Sequence, residues 1–523
     1  MEKNNALIDK IVSINRLPFI VIAALGFTLY FQALFFDFSY LDDNVLILYN
    51  QDFLVDFTNI FHSFFTDALL LNNSSAFYYR PLPIVSFIFD YQLGGASPFI
   101  YHFTNVILHI ISSYLVFIFL TKLNYQKTIS FLFSLIFLVH PALTQTVAWI
   151  PGRNDSLLAI FILSSFIFFI NYLAKEKKTS NLLCCLTFLG LALFTKESGV
   201  FILPIMIFYL YFIYKKKKFS FNRFYFFIGS ISVIAFWAIF RNFVLKDTES
   251  ITLIEISRSV YFKLPAVIQF IGKTFFPFNL SVMPIMRDTT FFYGIIAILL
   301  FAVLLFFTKT KRWNFILFGL GWFLAFLLPT FISRDLSHVA YFLEYRLYVP
   351  IIGGFIIFLE TDVIKKIDLN KKSTLIIVGS FILMFSIITM VYNRNYANRL
   401  SFWKNAVQNS PHFPMAHRNL GAMEYLDGDM DNAEKEYKIA LGLNPEEQMA
   451  HNNLGLIYFH KNKLVEAENE YGKELEINPY YDNAYFNLGI VHWRQEKFEE
   501  AKSNWKRTLE INYNYYYFDK SNW

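Results

Sequence analysis

Residues 100–143 read IYHFTNVILHIISSYLVFIFLT KLNYQK TISFLFSLIFLVHPAL. These are two apolar runs, 100–121 and 128–143, joined by a short connection that carries Lys122 and Lys127. A run of about 20 apolar residues is the length a helix needs to cross a hydrocarbon core, and a basic link between two such runs marks the cytoplasmic side. The pattern continues outward in both directions, at 17–36, 155–173, 182–195, 199–214, 224–241, 291–308, 314–332, 346–361 and 374–392. Composition agrees: 55% of the 523 residues are hydrophobic and only 16% charged, against about 25% charged in an ordinary soluble domain. The mean hydropathy is +0.40. An all-α polytopic membrane bundle follows, and a soluble enzyme is excluded. The 64 Phe suit lipid-facing helices. The two cysteines, Cys184 and Cys185, are adjacent within one run and offer neither a disulfide framework nor a zinc site.

Basic connections follow every second run: Lys122 and Lys127; Lys175, Lys177 and Lys178; Lys215 to Lys218 with Arg223; Lys309, Lys311 and Arg312; Lys365, Lys366, Lys371 and Lys372. With Lys3, Lys10 and Arg16 they predict eleven spans, an uncleaved first helix, a cytoplasmic N-terminus and a C-terminal region outside the cell membrane, a bacterial inner membrane. The segment 259–276 is interrupted by Lys263, Pro265 and Lys273 and reads as a helix lying in the outer interface. The predicted membrane domain is 1–392, with a long outer loop at 37–98 that holds seven Asp against a single Arg80. Its aromatic stretches predict that it folds onto the membrane surface. Net charge is +10 for 1–392 and −4 for 393–523. That split points away from nucleic acid, which needs a concentrated basic face.

Beyond 392 the period changes to 34. Pro411, Pro445 and Pro479 recur at that spacing, as do Asn419-Leu420-Gly421, Asn453-Leu454-Gly455 and Asn487-Leu488-Gly489, and Ala433, Ala467 and Ala501. This is the tetratricopeptide helix–turn–helix period, in which small residues let paired helices approach. The domain 393–523 then holds repeats 411–444, 445–478 and 479–512 after a partial unit containing Trp403 and Ala406. The aromatic segment Tyr513 to Trp523 reads as a cap. Such repeats bind partner or acceptor proteins in a groove, and Asn419, Asn453 and Asn487 are candidate ligands for an extended peptide backbone. The plainer alternative is that they bond neighbouring turns.

Ionisable groups gather in the outer connections. Asp42-Asp43 follow the first span; a carboxylate there could take a proton from a hydroxyl or hold a divalent cation, or could simply cap a helix. Arg80 in YYRPLP could clamp a phosphate or make a surface ion pair. His102, Asn105 and His109 form one polar stripe, suited either to a substrate cavity or to bonds between helices. His140, Arg153 and Asp155 surround one polar turn, Lys196-Glu197 another, and Arg334, Asp335, Glu344 and Arg346 a third, where Arg334, Tyr345 and Arg346 could meet a lipid phosphate. No phosphate-binding Gly loop, metal-ligand His pair or serine nucleophile motif is present in the sequence.

Several segments in order carry a family likeness: DD followed by YNQD, YYRPLPIVSFIFDYQLGG, SPFIYHFTNVILHI, HPALTQTVAWIPGRND, FTKESGV, FPFNLSV, EYRLYVPIIG and FWKNAVQNSP. Together they resemble the transmembrane and tetratricopeptide-repeat O-mannosyltransferases and their bacterial relatives, in the GT-C glycosyltransferase class. The resemblance implies a polyprenyl- or dolichyl-phosphate-linked sugar, mannose or another hexose, transferred to protein hydroxyls on the extracytoplasmic face. It implies Asp42 and Asp43 as the catalytic pair, Asp42 the general base and Asp43 assisting, with Arg80, Arg153, Arg334 or Arg346 on the leaving phosphate. The family commonly has Glu where this chain has Gln145, which alters any metal or acceptor role of that position. Rival readings are an O-antigen-ligase-like oligosaccharyltransferase, with its active groups in a late outer loop, and a non-catalytic repeat scaffold anchored in the membrane.

Overall fold

The computed structural model describes residues 12–13, 16–67, 78–174, 179–214, 221–245, 252–332, 343–369 and 371–512. The chain is all-α: among the described residues there is no β-strand. It divides into two compact units, Met1–Ser401 and Phe402–Trp523. The basic clusters at 175–178 and 215–218, Lys3, Lys10, Arg334, Asp335 and the segment 513–523 lie outside the described residues.

Among the described residues, six helices are long and apolar enough to cross a membrane: Leu17–Phe35, Pro98–Lys122, Ile150–Leu173, Arg223–Val244, Trp313–Phe331 and Lys372–Tyr396. A bent pair, Lys127–Val139 with Pro141–Ala148, makes a seventh. The other apolar runs fall on shorter helices, because hydropathy sums composition and ignores continuity. Lys196, with φ −159° and ψ 138°, is extended and divides 182–195 from 199–214. The run 346–361 becomes α-helical only at Ile351–Leu359, a length of about 14 Å at 1.5 Å per residue. Residues 259–276 split at Leu264–Pro265 into Leu253–Lys263 and Ala266–Phe275.

The elements that carry the site are α1 (Leu17–Tyr30), α2 (Pro81–Gly94), α3 (Pro98–Lys122), α4 (Lys127–Val139), α5 (Thr144–Ala148), α6 (Arg153–Leu173) and α7 (Thr179–Thr195). Pro81 and Pro98 start α2 and α3, where the missing N–H costs nothing and the fixed φ suits a first turn. The chain bends by 56° between α4 and the helical stretch that begins at Pro141. Pro141 lacks a donor there, and the His140 ring accepts from the Ala142 N–H to cap the new helix. Gly152 is required by close approach, since a Cβ would lie 2.8 Å from the Gln145 carbonyl oxygen. The first outer loop has a core of its own: Phe38, Leu46, Ile47 and Leu54 pack on Ile84, Phe87 and Tyr101. Many Phe are interior, contrary to the lipid-facing expectation for the whole set. Phe119 and Phe166 are fully buried with rings 5.2 and 6.0 Å from Trp322. Phe306 and Phe307 are exposed at 77% and 71%.

The second unit stacks helix pairs at the 34-residue period: Pro414–Leu426 with Met430–Leu443, Ala450–His460 with Leu464–Ile477, and Asp482–Arg494 with Phe498–Ile511. Ala433, Ala467 and Ala501 are fully buried between paired helices. At Gly455 a Cβ would lie 2.8 Å from the Tyr471 ring, so the repeating Gly is what lets the pair close.

Candidate active site

The segment after α1 turns sharply. Tyr40 and Asp42 both have positive φ, 57° and 67°, conformations that cost energy for residues with a Cβ and are kept where surroundings enforce them. The enforcing groups are visible. Asp43 is buried; its Oδ2 accepts from the Ser39 N–H at 2.7 Å and Ser39 Oγ at 2.8 Å, and its Oδ1 from the Asn44 N–H at 3.0 Å. Burial pushes the Asp43 carboxyl up to about 7, against the pull of the Ser39 and Asn44 donors. The Trp149 indole donates to the Leu41 carbonyl at 2.7 Å. Asp42 is thereby turned the other way. Its carboxylate reaches solvent yet is walled by protein, so desolvation raises its pKa while the charge of Arg80 opposes the rise. Among the described residues no hydrogen bond is made to that carboxylate.

Arg80, whose charge acts on Asp42, belongs to a group of three cations drawn from distant segments. Arg80, just before α2, pairs through Nε with Glu197 Oε2 at 3.3 Å, and the neighbouring Tyr79 N–H donates to Glu197 Oε1 at 3.0 Å. Lys196 donates to both oxygens of Asp155, at 2.8 and 2.9 Å, and sits 5.5 Å from the centre of the Tyr345 ring. Burial lowers the Lys196 pKa; Asp155 opposes this, and the like charges of Arg80 and Arg346 add to it. Arg346 lies 6.0 Å from the Tyr345 ring, which packs on Trp149 at 5.3 Å. The structure thus brings together Arg80, Asp155, Lys196, Glu197 and Arg346, and Arg80 links this group to Asp42.

Other candidates are held elsewhere. Arg153 is fully buried with its donors engaged: Nε to Asn105 at 2.9 Å, Nη1 to Asp90 at 2.5 Å and Ser86 at 3.2 Å, Nη2 to the Tyr101 carbonyl at 2.9 Å. A lipid phosphate would have to displace that set, in which Arg153 ties segments together. His140 is likewise spent on structure, bonding the Thr274 carbonyl at 3.0 Å and capping Ala142. His102 is buried edge-on to Phe36 at 6.1 Å. Of the polar stripe, His109 joins Tyr348 and the Leu138 carbonyl, and Asn105 donates to the carbonyls of Val147, Trp149 and Ile150. These are bonds between segments. Among the described residues no three His, Cys, Asp or Glu side chains gather as a metal-ligand set.

Several functional neighbours carried no sequence signal of their own. Ser39 and Trp149 look like ordinary loop residues. Asp90 and Glu344 were visible in sequence as outer-loop and outer-turn carboxylates, but not their partners: Asp90 pairs with Arg153, and Glu344 accepts from Lys273 at 2.6 Å. In the repeats, Asn419 accepts from Arg418 at 3.1–3.2 Å, Asn453 from Asn452 at 3.2 Å, and Asn487 donates to Asn452 at 3.0 Å.

Fold and site define a polytopic membrane protein whose connecting segments build a mixed-charge cluster that Arg80 links to one open carboxylate, with a tetratricopeptide tail. The likeness read from the motifs holds on both counts. Residues 83–241 match the family model described as Dolichyl-phosphate-mannose-protein mannosyltransferase, and residues 428–482 match that of the tetratricopeptide repeat. Protein O-mannosyl-transferase TMTC2 of Mus musculus is 32% identical over 241 residues, 42% of this chain and 28% of the relative. The Homo sapiens TMTC2 is 33% identical over 209 residues, 38% and 24%. The matched stretch therefore spans about a quarter of those relatives' length. Among solved structures, ArnT from Cupriavidus metallidurans bound to undecaprenyl phosphate is 13% identical with a TM-score of 0.42, covering 90% of this chain and 81% of that one.

Proposed function

We propose that this chain is a membrane glycosyltransferase that moves a sugar, mannose or another hexose, from a polyprenyl-phosphate carrier to a protein hydroxyl on the extracytoplasmic face. The observation that supports it most is Asp42: an open carboxylate held in a costly conformation and acted on by the charge of Arg80, which with Arg346 also acts on Lys196.

In this reading the acceptor oxygen attacks the anomeric carbon while Asp42 takes its proton. The bond from that carbon to the phosphate oxygen breaks, its electron pair leaves on the phosphate, and the anomeric centre inverts. Arg80 and Arg346 meet the developing phosphate charge, and Lys196 adds to the local positive potential. Asp155 and Glu197 hold Lys196 and Arg80 in place. Asp43 acts by fixing the loop. Membrane lipid surrounds the donor site, and the repeats engage acceptor proteins. A divalent cation, if the reaction uses one, would have Asp42 as its open carboxylate ligand.

The test is transfer from dolichyl phosphate mannose to a Ser/Thr-rich peptide by the purified full chain. Asp42→Asn should lower kcat by about 10²–10⁴-fold without changing the thermal midpoint. Full activity in Asp42→Asn would overturn this reading, and with activity lost only in Arg346→Ala would favour the ligase-like rival. Wild-type protein that neither binds nor consumes the donor would favour the scaffold.

A further inference from the structure

The short helix α5 stands between the acidic and the cationic sides of the site and grips both. Gln145 lies on it and Trp149, four residues on, caps its C-terminal end, the Trp149 N–H donating to the Gln145 carbonyl at 3.1 Å. Trp149 reaches one way, its indole N–H holding the Leu41 carbonyl at 2.7 Å, one residue before Asp42. Gln145 reaches the other way, its Oε1 accepting from the Tyr345 N–H at 3.3 Å, one residue before Arg346. Its Nε2 donates to the Val282 carbonyl at 3.2 Å. The Trp149 and Tyr345 rings close the gap at 5.3 Å.

We propose that α5 is a two-ended brace in which Trp149 positions Asp42 and Gln145 positions Arg346, so that one short helix sets the geometry between base and phosphate-binding cation. This rests on the glycosyltransferase reading above.

The chemistry of the amide argues for it. Only a group that both donates and accepts can bond a carbonyl and an N–H at once. A Glu at 145 could accept from Tyr345, but as a carboxylate it would face the Val282 carbonyl with no proton to give. Gln145 is therefore suited to joining two backbone segments, whatever task a carboxylate performs at that position elsewhere. The brace itself is held rigidly. Gln145 is fully buried, Asn105 donates to the carbonyls of Val147, Trp149 and Ile150, and Gly152 packs on the Gln145 carbonyl with no room for a Cβ. A displacement of about 1 Å at such a support can cost about 10²-fold in rate.

The two ends should fail differently. With dolichyl phosphate mannose as donor, Trp149→Phe keeps the ring against Tyr345 and loses the bond to Leu41. We expect kcat to fall about 30-fold with the donor KM unchanged. Gln145→Leu should raise the donor KM about tenfold and lower kcat less than threefold. Equal changes in both parameters for both variants would mark a merely structural role and overturn the brace. Hydrogen exchange supplies a readout that needs no substrate. Trp149→Phe should speed exchange in residues 39–46 alone, and Gln145→Leu in residues 343–349 alone. Exchange that rises in both segments for either variant, or in neither, overturns the brace. An inactive wild type with the two segments responding separately would instead discard the transfer reading and keep the brace.

Discussion

Arg153 and Lys196 each hold a carboxylate, Asp90 at 2.5 Å and Asp155 at 2.8 Å, in surroundings of opposite character. Around Arg153 the neighbours bond or stack: Asn105, Ser86 and the Tyr101 carbonyl accept, and Phe87 lies under the guanidinium at 4.5 Å. The Lys196 ammonium spends two of its three protons on Asp155 and then faces Arg80 and Arg346, which are charged like itself. A satisfied buried charge ties segments together. Cations that face like charges are in a state that an arriving anion relieves, since phosphate oxygens accept strong charge-assisted bonds. The contrast separates architecture from chemistry among residues that look alike in sequence.

The largest expected effect tests the architectural side. Arg153→Met leaves Asp90 buried without its counter-charge, and breaking such a pair costs about 3–5 kcal/mol. Thermal unfolding should show that loss, and the double variant Arg153→Met with Asp90→Leu should recover much of it. A stable Arg153→Met protein with impaired donor binding would erase the distinction drawn here and return Arg153 to the site.

Next comes the chemical side. Arg346→Ala should weaken donor binding about 10–50-fold, equivalent to about 1.4–2.3 kcal/mol at tenfold per 1.4 kcal/mol, with little change in thermal midpoint. Titration of donor against purified Arg346→Ala and wild type checks it. Unchanged affinity would leave Arg346 a bystander and place the phosphate on Arg80 and Lys196 alone.

How far this contrast was legible beforehand differs by level. The 34-residue period and the long apolar runs are written in residue spacing, so the repeats and the membrane bundle could be read directly. The number of spans could not. Lys196 and Pro350 interrupt helices that composition alone joins. In the site, sequence could name ionisable groups in connecting segments but not their partners, because partnership is tertiary: Arg80 meets Glu197 117 residues on, and Lys273 meets Glu344 71 residues on. Trp149 was invisible for the same reason, being one indole N–H aimed at a carbonyl far away in the chain. The His102, Asn105, His109 stripe was open to two uses, and for Asn105 and His109 the structure shows bonds between segments.

A smaller effect concerns pH. A general base must be ionised, so the rate should rise with pH through the Asp42 titration and then level off. Burial raises that titration and Arg80 lowers it. Arg80→Gln removes the lowering influence, so the acidic limb of the kcat/KM profile should move to higher pH. A limb that stays in place would mean that Arg80 does not act on Asp42, and a limb that moves to lower pH would contradict the sign of the interaction.

The smallest effect is expected in the repeats, where the asparagine pattern sits between the two readings of its purpose. Asn419 accepts from Arg418, and Asn453 and Asn487 share bonds with Asn452, so each is partly occupied by a neighbour. The amide nitrogen of Asn419 makes no hydrogen bond among the described residues, and the residue is half-buried. If it serves an acceptor backbone, Asn419→Ala removes one exchangeable hydrogen bond, worth about 1 kcal/mol at most against water. The expected outcome is a two- to fivefold rise, roughly, in KM for a whole-protein acceptor, with KM for a short peptide and for donor unchanged. Thermal unfolding of the repeats should stay within about 0.5 kcal/mol. A stability loss with no change in acceptor KM would assign Asn419 to the solenoid's own packing, on the same side of the contrast as Arg153.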